Sequence, residues 1–183
     1  KEDDIFRFIH CGNISLRKGV QYLLKSFNEL NLKNAELWLV GSIAPEMHGI
    51  LKKYRSGNII CHGPMPQARL KWFYSQCNVF CLMSIEEGLA MVQAQAMACG
   101  LPIIISENTG GSDLIIDGEH GFIVSIRNVE QLKMKMQYMY DHQEQAKNMG
   151  NQAKDRMHKL FSWDNYGSRI YDTYRDVLNS KKR

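Results

Sequence analysis

Two stretches of the 183-residue chain carry residue types that could do chemistry together. Glu86 to Gly100 (EEGLAMVQAQAMACG) sets two carboxylates and a glycine ahead of a helix-like run, with seven residues between Glu87 and Gln95. Cys11 to Gly19 (CGNISLRKG) sets Gly12, Asn13, Arg17 and Lys18 ahead of another. A helix N-terminus exposes unpaired N–H groups and the positive end of the helix dipole, so both places favour an anion. Lys18 adds a mobile point charge. Taken alone, the 11–19 stretch reads equally as an anion site and as a solvated basic loop.

Glu87 alone is explained as a favourable charge at a helix start, worth about 0.5 kcal/mol. That reading does not explain Gly88, which lets a ligand approach the backbone with no Cβ in the way. Nor does it explain Gln95, two turns into an alanine-rich helix face. One geometry covers all three. With a rise of about 1.5 Å per residue, Gln95 lies roughly 8 Å along from a tip near Ala90, about the span from a pyrophosphate to a nucleoside ribose. Phosphates then sit at the helix tip and a ribose near Gln95. Glu87 would repel phosphate, so it must address sugar hydroxyls, with Lys18 balancing the charge.

The elements that must position these residues follow from periodicity. Strands are expected at Ile5 to Cys11, Glu36 to Val40, Asn58 to Cys61, Val79 to Met83, Leu101 to Ser106 and Gly121 to Val124. Val20, Leu23, Leu24, Phe27 and Leu30 recur at helical spacing. Pro66 announces a helix over Gln67 to Ser75. In the Glu86–Gly100 helix, Met91, Gln95 and Ala98 share one face, while Leu89, Val92, Ala96 and Met97 are placed to pack on the sheet. From Asn128 onward the chain is expected to be helical, breaking near Gly150 and near Ser162. Ser162 or Asp164 would cap a last helix through Tyr166, Ile170, Tyr174 and Leu178. Near-continuous apolar strands, each followed by a helix, indicate an α/β fold: one Rossmann-like parallel sheet with helices on both faces. In such a sheet ligands bind where strands lead into helices.

Composition narrows the function classes. The chain is 44% hydrophobic and 23% charged, as in soluble globular domains. A formal net charge of +4 suits an anionic small ligand but is too weak to indicate nucleic acid. The Ser180-Lys181-Lys182-Arg183 tip reads as a solvated end. Five cysteines, an odd number mostly inside apolar runs, indicate reduced thiols in an intracellular, cytoplasmic setting. Cys77 and Cys81 lack the second ligand pair of a zinc site, so no metal is expected. No apolar run approaches about 18 residues. The six histidines are scattered, and no triad motif includes them. His62, beside Gly63, is read as structural rather than ligand-touching, and Met134, Met136 and Met139 as helix packing. Glu107 and Asp113 fit equally as sugar contacts and as loop caps. The start at Lys1, without a Met, suggests a fragment of a longer protein.

The ordered motifs carry a resemblance. G…KG follows strand one, LVG strand two, HG strand three, and S..EG precedes the helix–strand pair AMACGLPII; NTGGSDLIIDGEHGFIV and FSWDNYG come later. Together these resemble the retaining GT-B glycosyltransferases of the family 4-like, group 1 type, which include sucrose-phosphate synthases, mannosyltransferases and glycogen synthases. The resemblance implies that residues 1–183 are the C-terminal, nucleotide-sugar-binding half of a GT-B fold, with 164–183 its terminal helix and the acceptor-binding N-terminal domain absent. It implies that Lys18 contacts the donor diphosphate and Glu87 the hydroxyls of the transferred hexose, these two being the catalytic pair. The backbone of Gly88, Leu89, Ala90 and Met91 would hold phosphate and sugar. Gln95 would take the ribose, Gly63 and Met65 would border the base, and Gly12, Asn13, Arg17 and Gly41 would complete the donor site. No cofactor or bound metal is implied, because the helix dipole and basic side chains stabilise the leaving diphosphate. The implied partners are a nucleotide-sugar donor and a glycan or lipid-linked acceptor, with peripheral membrane association compatible.

Two positions depart from the family pattern. Gln95 stands where the family usually has a second glutamate. An amide has one acceptor oxygen and one donor group, so one ribose hydroxyl must turn to accept, at a cost of about 1 kcal/mol. Asn13 stands where arginine is common, removing a phosphate-binding cation that neighbouring Arg17 could replace. Binding should survive both departures; as a donor domain without its acceptor-binding half, the isolated chain is expected to bind nucleotide weakly and to lack transferase activity. The alternatives are a non-catalytic regulatory or scaffold domain of the same fold and half of a nucleotide-sugar epimerase.

Overall fold

The structure, a computed structural model, describes residues 3–54 and 56–180. Lys1, Glu2 and the Lys181–Arg183 part of the basic tip lie outside them. Six strands, β1 (Phe6–Cys11), β2 (Ala35–Val40), β3 (Ile59–Gly63), β4 (Val79–Leu82), β5 (Ile103–Ser106) and β6 (Gly121–Val124), form one sheet in the order β3-β2-β1-β4-β5-β6. Every neighbouring pair runs parallel. Parallel strands need crossover connections, and the helices that supply them cover both faces.

Strand alternation divides the core in two. Phe6, Phe8, Leu37, Leu39, Val79, Cys81 and Ile104 face α1 (Val20–Leu30) and α5 (Val129–Asp141). Ile9, Cys11, Trp38, Val40, Phe80, Leu82, Ile103 and Ile105 face α3 (Gln67–Ser75), α4 (Met91–Ala98) and α6 (Gln143–Leu160). Residues two apart share a face, so short strands can bury both sides fully. All four residues of β4 and all four of β5 are buried.

Several expectations need correction. Between β2 and β3 the structure adds a 3₁₀ turn at Pro45–Met47 and the short helix α2 (His48–Lys53), where no helix was expected. Pro45 at the start of that segment was the available signal. Leu89 does not pack on the sheet; it is 52% exposed. Met136 and Met139 are core residues, but Met134 is exposed. The helical break falls at His142, between α5 and α6, and α6 continues through Gly150. Gly150 instead marks a close crossing: a Cβ there would collide with the carbonyl of Gly100 and press on the ring of Pro102. Ser162 does cap α7 (Trp163–Ser180), its hydroxyl accepting the Asn165 N–H at 3.2 Å. No residue of α7 is buried.

Replacing an interior helical glycine by alanine ordinarily stabilises by about 1 kcal/mol. Gly150→Ala is expected to do the reverse and lower Tm, because α6 must lift off Gly100; a raised Tm on thermal melting would refute the crossing. His10 gives a second prediction. Its ring is fully buried, with Nδ1 at 3.2 Å from the Cys81 carbonyl, and burial pushes its pKa down to about 4. The unfolded chain takes a proton near pH 6.5 that the fold does not take until about 4. Stability is therefore full above pH 6.5 and declines as pH falls toward 4, by at most about 3 kcal/mol. His10→Leu should flatten that slope, measured by denaturant melts between pH 7 and 4.5; an unchanged slope would remove His10 as the cause.

Candidate functional site

The strand order reverses direction between β1 and β4, so the loops leaving their C-terminal ends diverge and open a crevice. Backbone hydrogen bonds fix those loops. Gly12 N–H donates to Val40 O at 2.9 Å, Ile14 N–H to Ser42 O at 2.8 Å, and Gly41 N–H to Gly63 O at 2.9 Å. The first three strand ends are thereby zipped side by side. Gly41, at φ 154°, lies so close to the Gly12 carbonyl that a Cβ would collide with it.

The other wall is held from α1. Gly19, at φ 66°, precedes the helix in the left-handed region, and a Cβ there would strike the Met83 carbonyl. Across this contact Ile85 N–H donates to Arg17 O at 2.9 Å, and Arg17 Nη1 donates to Glu86 O at 3.1 Å. The 11–19 and 83–90 loops are thus joined, and Lys18 is delivered to Glu87. The Lys18 ammonium donates to Glu87 Oε2, and both side chains are more than four-fifths buried. Arg17 Nη1 approaches the same carboxylate at 3.9 Å from a mostly exposed position. Charges paired at this depth are far less screened than surface pairs.

The expected site residues fall into three adjoining groups. Arg17, Lys18 and Glu87 form the ionic cluster. Gly12, Asn13, Gly41 and Met65 line a cavity of about 250 Å³, joined by Ser42 and Val92. Gly63, at φ 72°, precedes Pro64 on its wall. Gln95 lies instead in a neighbouring groove of about 230 Å³ between α3 and α4, with Gln67, Lys71, Tyr74 and Cys99. Leu70 is common to both. The Gln95 Oε1 is buried without a hydrogen-bond partner. A buried carbonyl oxygen left unpaired costs about 1–3 kcal/mol, so this acceptor is strained toward finding a donor.

Gly88 has open space where a Cβ would stand. Ala90 is buried immediately before α4, while Leu89 and Met91 are about half exposed on the rim. Opposite them, a Cβ on Gly110 would meet the Gly88 carbonyl, so the loop after β5 closes against the α4 entry. Gln93, wholly buried, ties that loop down by donating from Nε2 to Thr109 O at 2.8 Å. Sequence reading passed over Gly110 and Gln93. The Gly110-Gly111 pair after a strand was the signal for the first, but a buried glutamine has none. Glu107 accepts the Ile126 N–H at 3.1 Å, which assigns it to loop capping. His62 packs edge-on against Trp38 and Phe73, in keeping with its structural reading.

Among the described residues no group of three or more His, Cys, Asp or Glu is placed to hold a metal ion. Among them, too, no helix is long and apolar enough to cross a membrane.

Comparison with known proteins agrees with this architecture. The capsular polysaccharide biosynthesis glycosyltransferase CapM of Staphylococcus aureus is 27% identical over 184 residues, covering 94% of this chain and 47% of its own length. Trehalose synthase of Pyrococcus horikoshii is 36% identical over 108 residues, covering 59% of this chain and 25% of its own. The chain spans about half the length of the curated relatives it matches across its full extent. Among solved structures, sucrose-phosphate synthase from Thermosynechococcus elongatus superposes with a TM-score of 0.86 at 24% identity, over 97% of this chain and 46% of that one. Anabaena HepE in complex with UDP superposes at 0.85 and 18% identity, over 93% and 49%. These likenesses give the fold, half of a GT-B architecture. The sequence profile of the family described as Glycosyl transferases group 1 matches residues 1–156, and the chain belongs to that family.

Proposed function

We propose that this chain is the donor-binding half, C-terminal in the whole protein, of a retaining glycosyltransferase that moves a hexose from a nucleoside-diphosphate sugar to a glycan or lipid-linked acceptor. The observation that carries the proposal is the Lys18–Glu87 pair, held at the strand switch point by the Gly19–Met83 approach. In this reading the pair is the resting state of the site. An arriving diphosphate draws Lys18 away, and Glu87, released, accepts hydrogen bonds from the hydroxyls of the sugar. The N–H groups of Met91 and Val92 at the start of α4 and the Lys18 charge would then stabilise the leaving diphosphate as the glycosidic bond to it breaks. The bond to the acceptor oxygen would form in its place, the acceptor proton passing to the departing phosphate oxygen.

The remaining residues take roles consistent with their surroundings. The cavity beside Gly12, Asn13, Gly41, Gly63 and Met65 would receive the base. The unpartnered Gln95 oxygen would receive a ribose hydroxyl in the adjoining groove, with Gln67 and Tyr74 as its neighbours. Gly88 to Met91 would line the phosphate and sugar, the empty space beside Gly88 leaving room for a ligand. Arg17, reaching Glu86 and Glu87, supplies the second cation that Asn13 does not. Support for a nucleotide-sugar substrate also comes from proteins of the same fold: HepE is described with UDP-glucose, and the pneumococcal O-GlcNAc transferase GtfA with UDP and GlcNAc. No metal ion takes part in this reading, and the acceptor would be held by the part of the protein beyond this chain.

Calorimetry with UDP, GDP and their sugar conjugates tests the assignment. Lys18→Ala is expected to weaken nucleotide binding about tenfold or more, as loss of a charge-assisted hydrogen bond requires. Glu87→Ala should spare UDP yet lose discrimination among UDP-sugars; equal losses for UDP and UDP-sugar would overturn the role given to Glu87. Gln95→Glu should preserve or tighten nucleotide binding, because a carboxylate can accept from both ribose hydroxyls. Marked weakening in that variant would remove the ribose from the α3–α4 groove. If no nucleotide or nucleotide-sugar raises Tm at millimolar concentration, the chain is a scaffold domain instead.

A further inference from the structure

The far end of the sheet carries a second polar cavity, of about 360 Å³, where the chain enters β6 beneath the C-terminal half of α6. His120, immediately before β6, forms its floor and is only 6% exposed. The Ile116 N–H donates to His120 Nδ1 at 3.1 Å, so in the neutral ring the proton is on Nε2. Burial, and after it the neighbouring Arg156 charge, push the His120 pKa down against the opposing pull of Glu119, which favours the neutral ring. Nε2–H is thus a fixed donor with no acceptor among the described residues.

Arg156 stands beside it, equally fixed. Its Nε donates to the Leu114 carbonyl at 2.6 Å, and the guanidinium lies 5.8 Å from the centre of the Phe161 ring. Both terminal nitrogens are left without a partner among the described residues, although Glu119 and Asp155 line the same cavity. A guanidinium fork pre-set by its own Nε, next to an imidazole N–H, matches the two oxygens of a carboxylate. Lys159 adds a mobile cation at the edge. Glu119, Asp155 and Gln152 supply acceptors around the rest of the wall. Two cations and two carboxylates leave the cavity close to neutral, which disfavours a dianion such as phosphate. A ligand that uses every wall carries one carboxylate and several hydroxyls.

We infer that this cavity is a binding site for a hexuronic-acid unit of an acidic glycan, separate from the crevice at the opposite end of the sheet. The carboxylate would lie across Arg156 and His120 Nε2–H, and the ring hydroxyls would donate to Glu119 and Asp155. The inference stands apart from the donor assignment, since the two sites share no residue.

Titration of the ¹⁵N-labelled chain with sodium glucuronate, followed by amide chemical shifts, tests it. Glucose, acetate and inorganic phosphate at matched ionic strength are the comparison probes. Glucuronate is expected to shift residues 116–120 and 152–160 saturably, and each comparison probe to bind at least about tenfold more weakly. Arg156→Lys, which keeps the charge but loses the fork, should weaken glucuronate about tenfold, and Lys159→Gln should weaken it by a smaller factor without changing Tm. Binding of glucuronate no tighter than acetate, or shifts that never saturate, would overturn the site. Phosphate binding as tight as glucuronate would make it a general oxyanion site and overturn the assignment to a sugar acid. A UDP titration of the same sample reports separately on the crevice, so failure of one reading is distinguishable from failure of the other.

Discussion

The approach of Gly19 to the Met83 carbonyl governs where the charged groups of this domain can meet. At that point α1 begins, the chain leaves β4, and two loops from opposite sides of a strand reversal come into register. The Ile85-to-Arg17 hydrogen bond makes the register specific. Lys18 follows as the residue before the glycine and Glu87 as the residue four beyond Met83, so their pairing is a property of backbone geometry. A side chain at position 19 would meet both the left-handed φ and the carbonyl, and either alone is costly. The loop after β5 leans on the result, with Gly110 against Gly88 and Gln93 holding Thr109. The site is therefore shaped chiefly by main-chain contacts.

What the sequence made legible follows the strength of each periodic signal. The six strands, α1, α3 and the start of the last helix are carried by runs of apolar residues at fixed spacing, and their positions hold to within a residue or two. Lys18 and Glu87, which the structure pairs, stood out because packing alone seldom calls for a charge beside a glycine at a strand exit. Leu89 was not: it precedes the helix rather than lying within it, so helical spacing does not govern where it points. Gly150 misled for the reason that makes it useful, since the residue of low helix propensity stands where another chain segment passes. The division of the expected residues between two cavities was also out of reach. It depends on how α3 and α4 lean together around Leu70, a tertiary arrangement with no local imprint.

The two ends of the sheet are built on different physical terms. At the C-terminal end, glycines let two loops approach closely enough to join Lys18 and Glu87 in an ion pair. At the β6 entrance the groups are side chains locked in place, His120 by a backbone N–H and Arg156 by a backbone carbonyl. In the proposed reading, a ligand at the first would displace an internal partner, and one at the second would meet donors already set. Helix α6 links them mechanically, packing on α4 at one point and bearing Arg156 at another.

The cysteines acquire a meaning beyond packing once the grooves are known. Cys11 and Cys81 are buried, with their thiols pushed up, Cys11 to about 12, so they are protected from electrophiles both by access and by protonation. Cys61 lies open on the edge strand, and Cys99 lines the groove that holds Gln95. The domain thus offers its own chemical footprint: a ligand filling that groove would cover Cys99 and slow its alkylation, while Cys61, which does not line it, would serve as the reference.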